Sequence, residues 1–232
     1  MRIFWKTYQV GATFLPQGPS FEGRSLILRF VFLPELEERS SVAREAARLL
    51  YSGAAEEYIQ AKYMAANSLG IKAVPSNYDV AVELDRLADE AEGREKQRRL
   101  TEMREIALMV MKSLQSFTPH LIGSVWRGTA RKGSDIDIIV LATSPADVEY
   151  ALRSYKVKEK GKVTFQGGVH AYHFKLEVRL NEVEVVVRDP AEYTEDRCDV
   201  YGDVKRGLTL PELERLLRID PLRKFVPRRR SR

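Results

Sequence analysis

The sequence predicts an α+β protein, and three observations predict it. Two runs rich in aromatic and branched residues, Ile3 to Val10 and Leu26 to Leu33, read as extended chain on either side of a Gly/Pro-containing connector. Between about Ser40 and Ser116 the apolar residues recur at helical spacing instead. After Pro119 strands alternate with helices. These changes divide the chain into an N-terminal β segment (1–37), a helical region (38–117), a strand-and-helix core (118–220) and a basic tail (221–232).

In the helical region, Ala43, Ala46, Ala47 and Leu50 form one stripe that Gly53 interrupts, and a second helix is expected from Ala54 to Leu69. Ser76, three residues ahead of Asp79, caps a helix carrying Val80, Leu84, Leu87 and Ala91 and ending near Gly93. The longest helix follows, with Leu100, Met103, Ala107, Val110 and Leu114 on one face until Thr118-Pro119 stops it. Arg94 to Lys112 hold six basic residues against three acidic ones, which fits a solvated face or a nucleic-acid contact surface. In the core, Leu121-Ile122 and Asp135 to Leu141 read as strands, and Ser144-Pro145 opens a helix. Tyr172, Phe174, Leu176, Val178 and Leu180 alternate with His173, Lys175, Glu177 and Arg179, so this strand buries one face. Asn181-Glu182 is expected to turn the chain into Val183 to Val187, and Thr209 with Glu212 forms a capping box for a last helix.

A chain of 232 residues, 44% of them hydrophobic, is long enough to bury a sizeable core. It has no apolar run of membrane-spanning length and no secretory signal, so a soluble, cytoplasmic protein with no membrane partner is expected. Cys198 is the single cysteine, which excludes an intramolecular disulfide and a multi-cysteine zinc site. The net charge is +5, but residues 221–232 contribute six basic and no acidic side chains, and without them the net charge is −1. Arg228 to Arg232 therefore read either as a solvated end or as a phosphate-contacting arm. Oligomeric state is not encoded in any of these features.

The informative stretch runs from His120 to Leu141. Asp135 and Asp137 are two apart at the head of a strand, so both side chains leave one face, with α-carbons roughly 6–7 Å apart. Two such carboxylates repel unless a cation lies between them, and together they can grip a divalent ion. Gly123-Ser124 follows a short apolar strand and precedes Asp135 by ten residues that include Gly128 and Gly133. Glycines allow backbone to approach a phosphate, the Ser124 hydroxyl can donate to it, and Arg127, Arg131, Lys132 and Ser134 add charge and donors. Phosphoryl chemistry needs little more than alignment and charge neutralisation.

This arrangement resembles the nucleotidyltransferase superfamily of DNA polymerase beta, whose motif is Gly-Ser or Gly-Gly, a gap of about ten residues, then Asp-x-Asp between hydrophobics. At ordinary residue frequencies the combination arises by chance in under about 1% of chains this long. The resemblance covers Leu121 to Arg188, a stretch that looks like the archaeal CCA-adding enzymes and minimal stand-alone nucleotidyltransferases; the whole chain resembles archaeal proteins carrying this domain. The short stretch after Arg188 is not expected to hold the body and tail domains with which CCA-adding enzymes grip tRNA. The resemblance implies a mixed sheet with helices on one face, added to the N-terminal β segment and helical insert, so that 118–220 is the nucleotidyltransferase core. It also implies transfer of a nucleoside monophosphate from a nucleoside triphosphate such as ATP to an acceptor hydroxyl, with RNA a candidate acceptor. In that scheme Asp135 and Asp137 are catalytic and hold Mg²⁺ or Mn²⁺, and Gly123, Ser124, Arg127, Lys132 and Ser134 bind nucleotide. A third carboxylate comes from a later, adjacent strand, and Glu184 fits because Glu184 and Val186 face one way while Val183, Val185 and Val187 face the other. Glu177 competes less well, since His173, Lys175 and Arg179 place it on a polar face.

Alternatives remain at this stage: a protein-modifying nucleotidyltransferase, or a noncatalytic nucleotide or RNA binder of the same fold. A P-loop is excluded, because the lysine of Gly128 to Ser134 precedes its glycine and a strand follows where a helix is required. His170 and His173 are three apart on a strand and point to opposite faces, so they are not a zinc pair. Trp126 fits either base stacking or loop packing.

Overall fold

The computed structural model describes residues 21–164, 170–191, 193 and 197–228, with side chains placed from residue 35 to 162 and in the described residues from 171 onward. The chain opens with α1 (Phe21–Ser52), α2 (Tyr58–Leu69) and α3 (Asn77–Ser113). The Ala43, Ala46, Ala47, Leu50 stripe is buried against Ala61, Ala65 and Ala66 of α2 and Val80 and Leu84 of α3. The extended run expected at Leu26 to Leu33 is corrected: those residues lie inside α1. A solid apolar run carries no period, so strand and helix look alike, and the helix-forming sequence that follows decides the matter. The strand expected at Ile3 to Val10 lies outside the described residues. Helix α2 starts later than Ala54 because the linker is used in a turn, with Ala55 N donating to Leu49 O (3.2 Å) and Glu56 N to Gln60 Oε1 (3.1 Å).

The capping box predicted at Ser76 is present, Asp79 N donating to Ser76 Oγ (3.2 Å) and Ser76 N to Asp79 Oδ2 (3.1 Å). The chain bends at Gly93, whose φ of 51° and ψ of −123° are non-helical, and α3 then resumes. Its first half joins the α1–α2 cluster, while Leu100, Met103, Ile106, Val110 and Leu114 pack beneath the sheet. The boundary expected between residues 117 and 118 thus runs through a continuous apolar core. Of the six cations on the Arg94 to Lys112 stretch, five are engaged within the molecule. Lys96 meets Asp85 (2.5 Å) and Asp89 (2.8 Å), Arg98 meets Glu95, Arg99 meets Glu92, Lys112 meets Glu214 (3.0 Å), and Arg104 is fully buried.

After a 3₁₀ turn the chain forms β1 (His120–Ile122), α4 (Gly123–Arg127), β2 (Ile136–Leu141), α5 (Pro145–Ala151), β3 (Lys156–Thr164), β4 (His170–Val178), β5 (Asn181–Arg188), β6 (Leu208–Thr209) and α6 (Leu210–Ile219). The described strands make one sheet in the order β3-β4-β5-β2-β1-β6, with β2 and β5 parallel and every other neighbouring pair antiparallel. One face carries Ile136, Ile138 and Val140, Val183, Val185 and Val187, and Phe174 and Leu176, packed on α3, on Val148 and Leu152 at α5, and on Leu213 and Leu216 of α6. The expected mixed sheet with helices on one face is therefore the fold; its other face is the floor of a cleft. Ser144 caps α5 without a side-chain bond, its carbonyl accepting from Asp147 N instead (3.3 Å).

The β4–β5 connection corrects a second expectation. Val178 pairs with Asn181, so the turn is Arg179-Leu180, with φ of 50° and 66°. Two positive φ angles match the twist of a two-residue hairpin loop, and Asn181 clips it by donating from Nδ2 to Arg179 O (3.0 Å). The capping box of α6 forms as expected. Residues 221–228 of the tail are docked: Lys224 Nζ reaches Asp85 (2.6 Å) and Asp89 (2.7 Å), and Tyr78 donates to Pro227 O (3.0 Å). Arg229 to Arg232 lie outside the described residues. Among the described residues no helix is long and apolar enough to cross a membrane.

Candidate active site

Asp137 is the second residue of β2 and points to the open face, away from buried Ile136 and Ile138. Its partner across the parallel pair is Glu184, so the two side chains rise from neighbouring strands about 4.8 Å apart on the same side of the sheet. Asp135 stands one residue ahead of β2, on the same side by parity, and Glu182 continues the row on β5. The acids feel one another. Burial, then Glu184 and then Asp135, push the Asp137 carboxyl up to about 7, and burial followed by Glu182 and Glu184 raises that of Asp135, with Lys175 working against them. An apolar setting that holds several carboxylates is unfavourable until a cation joins them, and an all-oxygen donor set suits Mg²⁺ or Mn²⁺. Among the described residues no three His, Cys, Asp or Glu side chains already form a cage for an ion. Instead Glu184 Oε1 lies 3.1 Å from His173 Nδ1, and Lys175 Nζ lies between Glu159 (3.6 Å) and Glu182 (4.0 Å).

Gly123 begins α4 with φ of 70°, and a Cβ there would overlap the Asp137 carboxylate, standing 2.9 Å from its Cγ. Only glycine combines that backbone angle with that approach, so the Gly-Ser turn is pressed against the acid row. Ser124 and Ser134 do not line the cleft over the acids. With Thr129, Arg131, Tyr58 and Tyr201 they bound a smaller cavity of about 170 Å³ towards the helical region, where Ser134 Oγ accepts from Arg131 N (3.0 Å). Lys132 is exposed, its backbone N–H donating to Glu92 Oε1 (3.3 Å).

The structure places Arg127 away from the cleft over the acids: it is buried, holds Asp203 with two bonds (2.9 and 2.7 Å), donates to Phe225 O (2.9 Å) and stacks on Trp126 and Tyr201. Trp126 is buried in the core and packs, settling its two readings. Arg104 secures the same helix from beneath. Its guanidinium donates to Val125 O (3.1 Å), Trp126 O (3.0 Å), Pro221 O (2.6 Å) and Arg223 O (3.0 Å), while burial lowers its pKa to about 10. Carbonyls that end α4 are thereby satisfied, and the tail is tied to it.

The cleft over the open face has a volume of about 450 Å³. Asp137 and Glu184 line it together with Ile122, Ile139, Ala171 and Val186, and with His173, Lys175, Arg188, Tyr193 and Lys205. The sequence reading assigns no site role to Lys175, Glu182, Arg188 or Lys205, and takes His173 only as half of a rejected zinc pair. The parity that found Glu184 also carries Glu182 and Arg188. Placing the hairpin turn at Arg179-Leu180 would have set Lys175 opposite Glu184 and His173 opposite Val186.

A family model described as nucleotidyltransferase domain matches residues 110–197. No curated protein matches the chain. Among solved structures, similarity is found to a mutant of the Cid1 poly(U) polymerase bound to MgATP (17% identity over 38% of this chain and 32% of that one, TM-score 0.30). Another similar structure is a cytoplasmic RNA terminal U-transferase (15% identity over 48% and 34%, TM-score 0.30). The chain spans about a third of the length of these structures. Residues 110–197, which carry the Gly-Ser turn, the Asp-x-Asp strand and the parallel β2–β5 pair, match the nucleotidyltransferase domain.

Proposed function

We propose that this site moves a nucleoside monophosphate from a nucleoside triphosphate to an acceptor hydroxyl and releases pyrophosphate. The observation that carries it is the pairing of Asp137 with Glu184 across β2 and β5, directly against Gly123, within a domain of this family. Asp135, Asp137 and Glu184 would hold Mg²⁺ or Mn²⁺, which supplies, when bound, neutralisation of the charge on the transferring phosphoryl group and polarisation of the acceptor oxygen. Gly123 brings the α4 turn against Asp137, and Ser124 and Ser134, which bound the adjoining cavity, with Lys132 exposed beyond them, are the hydroxyl and ammonium donors we assign to the triphosphate. The acceptor oxygen attacks the α-phosphorus, the bond to the bridging oxygen breaks, and pyrophosphate leaves with the electron pair. The hydroxyl proton passes to a carboxylate oxygen of Glu184, whose Oε1 is within hydrogen-bond distance of His173 Nδ1.

The test is transfer of α-phosphate label from each of four nucleoside triphosphates, with Mg²⁺ or Mn²⁺, onto total cellular RNA and separately onto protein. Incorporation that needs the divalent ion and is lost in Asp135→Asn and in Asp137→Asn is the expected result. Undiminished transfer in either variant would remove this site from the reaction.

A further inference from the structure

We propose that His173 is a positioning residue of the metal site: it holds one oxygen of Glu184, so that Glu184 meets the cation through the other, and this selects small octahedral ions over Ca²⁺. It rests on the assignment of Glu184 to the metal made above.

Strand β4 lies beside β5 on the side away from β2, so its open-face residues flank Glu184 on the other side from Asp137. Lys175 is the direct cross-strand partner of Glu184, but its ammonium leans away, towards Glu159 (3.6 Å) and Glu182 (4.0 Å). His173 stands two residues back, opposite Val186, at the diagonal position from which a ring reaches across strands. Its Nδ1 is 3.1 Å from Glu184 Oε1. A carboxylate accepts, so Nδ1 is the nitrogen that donates. The ring is backed from β3, where Glu159 Oε1 stands 3.9 Å from Nε2, and Gly161, paired with His173, lays no side chain over that edge. With only 15% of its side chain exposed, the imidazole is held in the wall of the cleft.

A hydrogen bond to a ligating carboxylate fixes its orientation. Here it engages Oε1 and leaves Oε2 for the ion. One-oxygen ligation suits Mg²⁺, which demands near-octahedral geometry at about 2.1 Å, and Mn²⁺, which shares its taste for six oxygens. Ca²⁺ takes six to eight donors and gains from a carboxylate that gives both oxygens. His173 therefore sets both how well the acid row binds a cation and which cation it prefers.

The test is binding of Mn²⁺ to the metal-free protein, read from the electron paramagnetic resonance signal of the free ion, with Ca²⁺ affinity obtained by displacement. Wild type is compared with His173→Leu, His173→Asn and His173→Gln, each first melted in chelator to confirm the fold. Asparagine puts an amide N–H near the place of Nδ1, whereas glutamine puts it near that of Nε2. His173→Leu should weaken Mn²⁺ binding about 10- to 100-fold, the range typical when a metal ligand loses its partner, and leave Ca²⁺ binding close to wild type. His173→Asn should recover most of that loss and His173→Gln should not; if His173→Leu fails to fold, the contrast between these two decides. The proposal is overturned by unchanged or tighter Mn²⁺ binding in His173→Leu, by equal losses for both ions, by asparagine doing no better than glutamine, or by a wild type that binds no Mn²⁺. Mn²⁺ binding that follows the expected pattern in a protein that transfers no nucleotide would sink the transfer reading and keep His173 in this role. Divalent-dependent transfer that is lost in Asp137→Asn, with Mn²⁺ affinity indifferent to His173, would do the reverse.

Discussion

Replacing Asp137 with asparagine should make the metal-free protein more stable, by an amount that depends on pH. The Asp137 carboxyl titrates near 7 in the fold against 3.8 for the free group, chiefly because it is buried and then because Glu184 and Asp135 face it. A raised folded value means that the stabilising state is the protonated one. Its contribution is fully present below about pH 4 and is lost as pH rises through about 7. Roughly three units at about 1.4 kcal/mol each give up to about 4 kcal/mol lost between those limits. Asparagine carries no charge, so Asp137→Asn should match the wild type near pH 4 and exceed it by about 2–4 kcal/mol near pH 8. For a chain of this size that is a melting shift on the order of 5–10 °C. Calorimetry in chelator at several pH values measures it, and added Mg²⁺ should raise the wild-type melting point while leaving the variant nearly unmoved. Equal stability of the two proteins near pH 8, or a gap that persists near pH 4, would refute the claim that Asp137 is a carboxylate frustrated by burial and acidic neighbours.

Other perturbations address the scaffold. Gly123→Ala forces a left-handed φ on alanine and drives its Cβ into the Asp137 carboxylate; transfer should fall at least 100-fold and stability by about 2–3 kcal/mol, read by label incorporation and urea denaturation. Arg127→Met leaves Asp203 and Phe225 O without their donor and should cost about 3 kcal/mol in urea melts, while nucleotide KM in the folded fraction stays near wild type; a KM effect with unchanged stability would return Arg127 to the nucleotide site. Lys224→Ala unpairs the tail from Asp85 and Asp89, and limited proteolysis should then cleave after residue 220 several-fold faster.

Much of the site was legible because strand parity is a local property. Counting in twos puts Asp135 and Asp137, and Glu184 on its own strand, on the face that proves open, and counting in threes gives the capping boxes at Ser76 and Thr209. What parity does not say is where a face looks. His173 and Lys175 read as a solvated row, and they line the cleft because the open side of this sheet is the working side. Arg127 read as a phosphate ligand because a cation near glycines usually is one, while the acid it holds, Asp203, lies 76 residues later in the chain. The turn at Arg179-Leu180 was missed because neither residue is a habitual turn former, and the Asn181 side chain that stabilises it comes after the turn. Leu26 to Leu33 went wrong for another reason: an unbroken apolar run has no period to read.

The bend at Gly93 makes α3 a single beam that passes through two interiors, one shared with α1 and α2 and one lying under the sheet. A fragment starting at residue 118 would bare the surface that Met103, Ile106, Val110 and Leu114 cover and should precipitate, whereas one starting just past the bend would carry its own lid. The smallest unit that keeps the sheet covered is therefore set by a glycine far upstream of the motif.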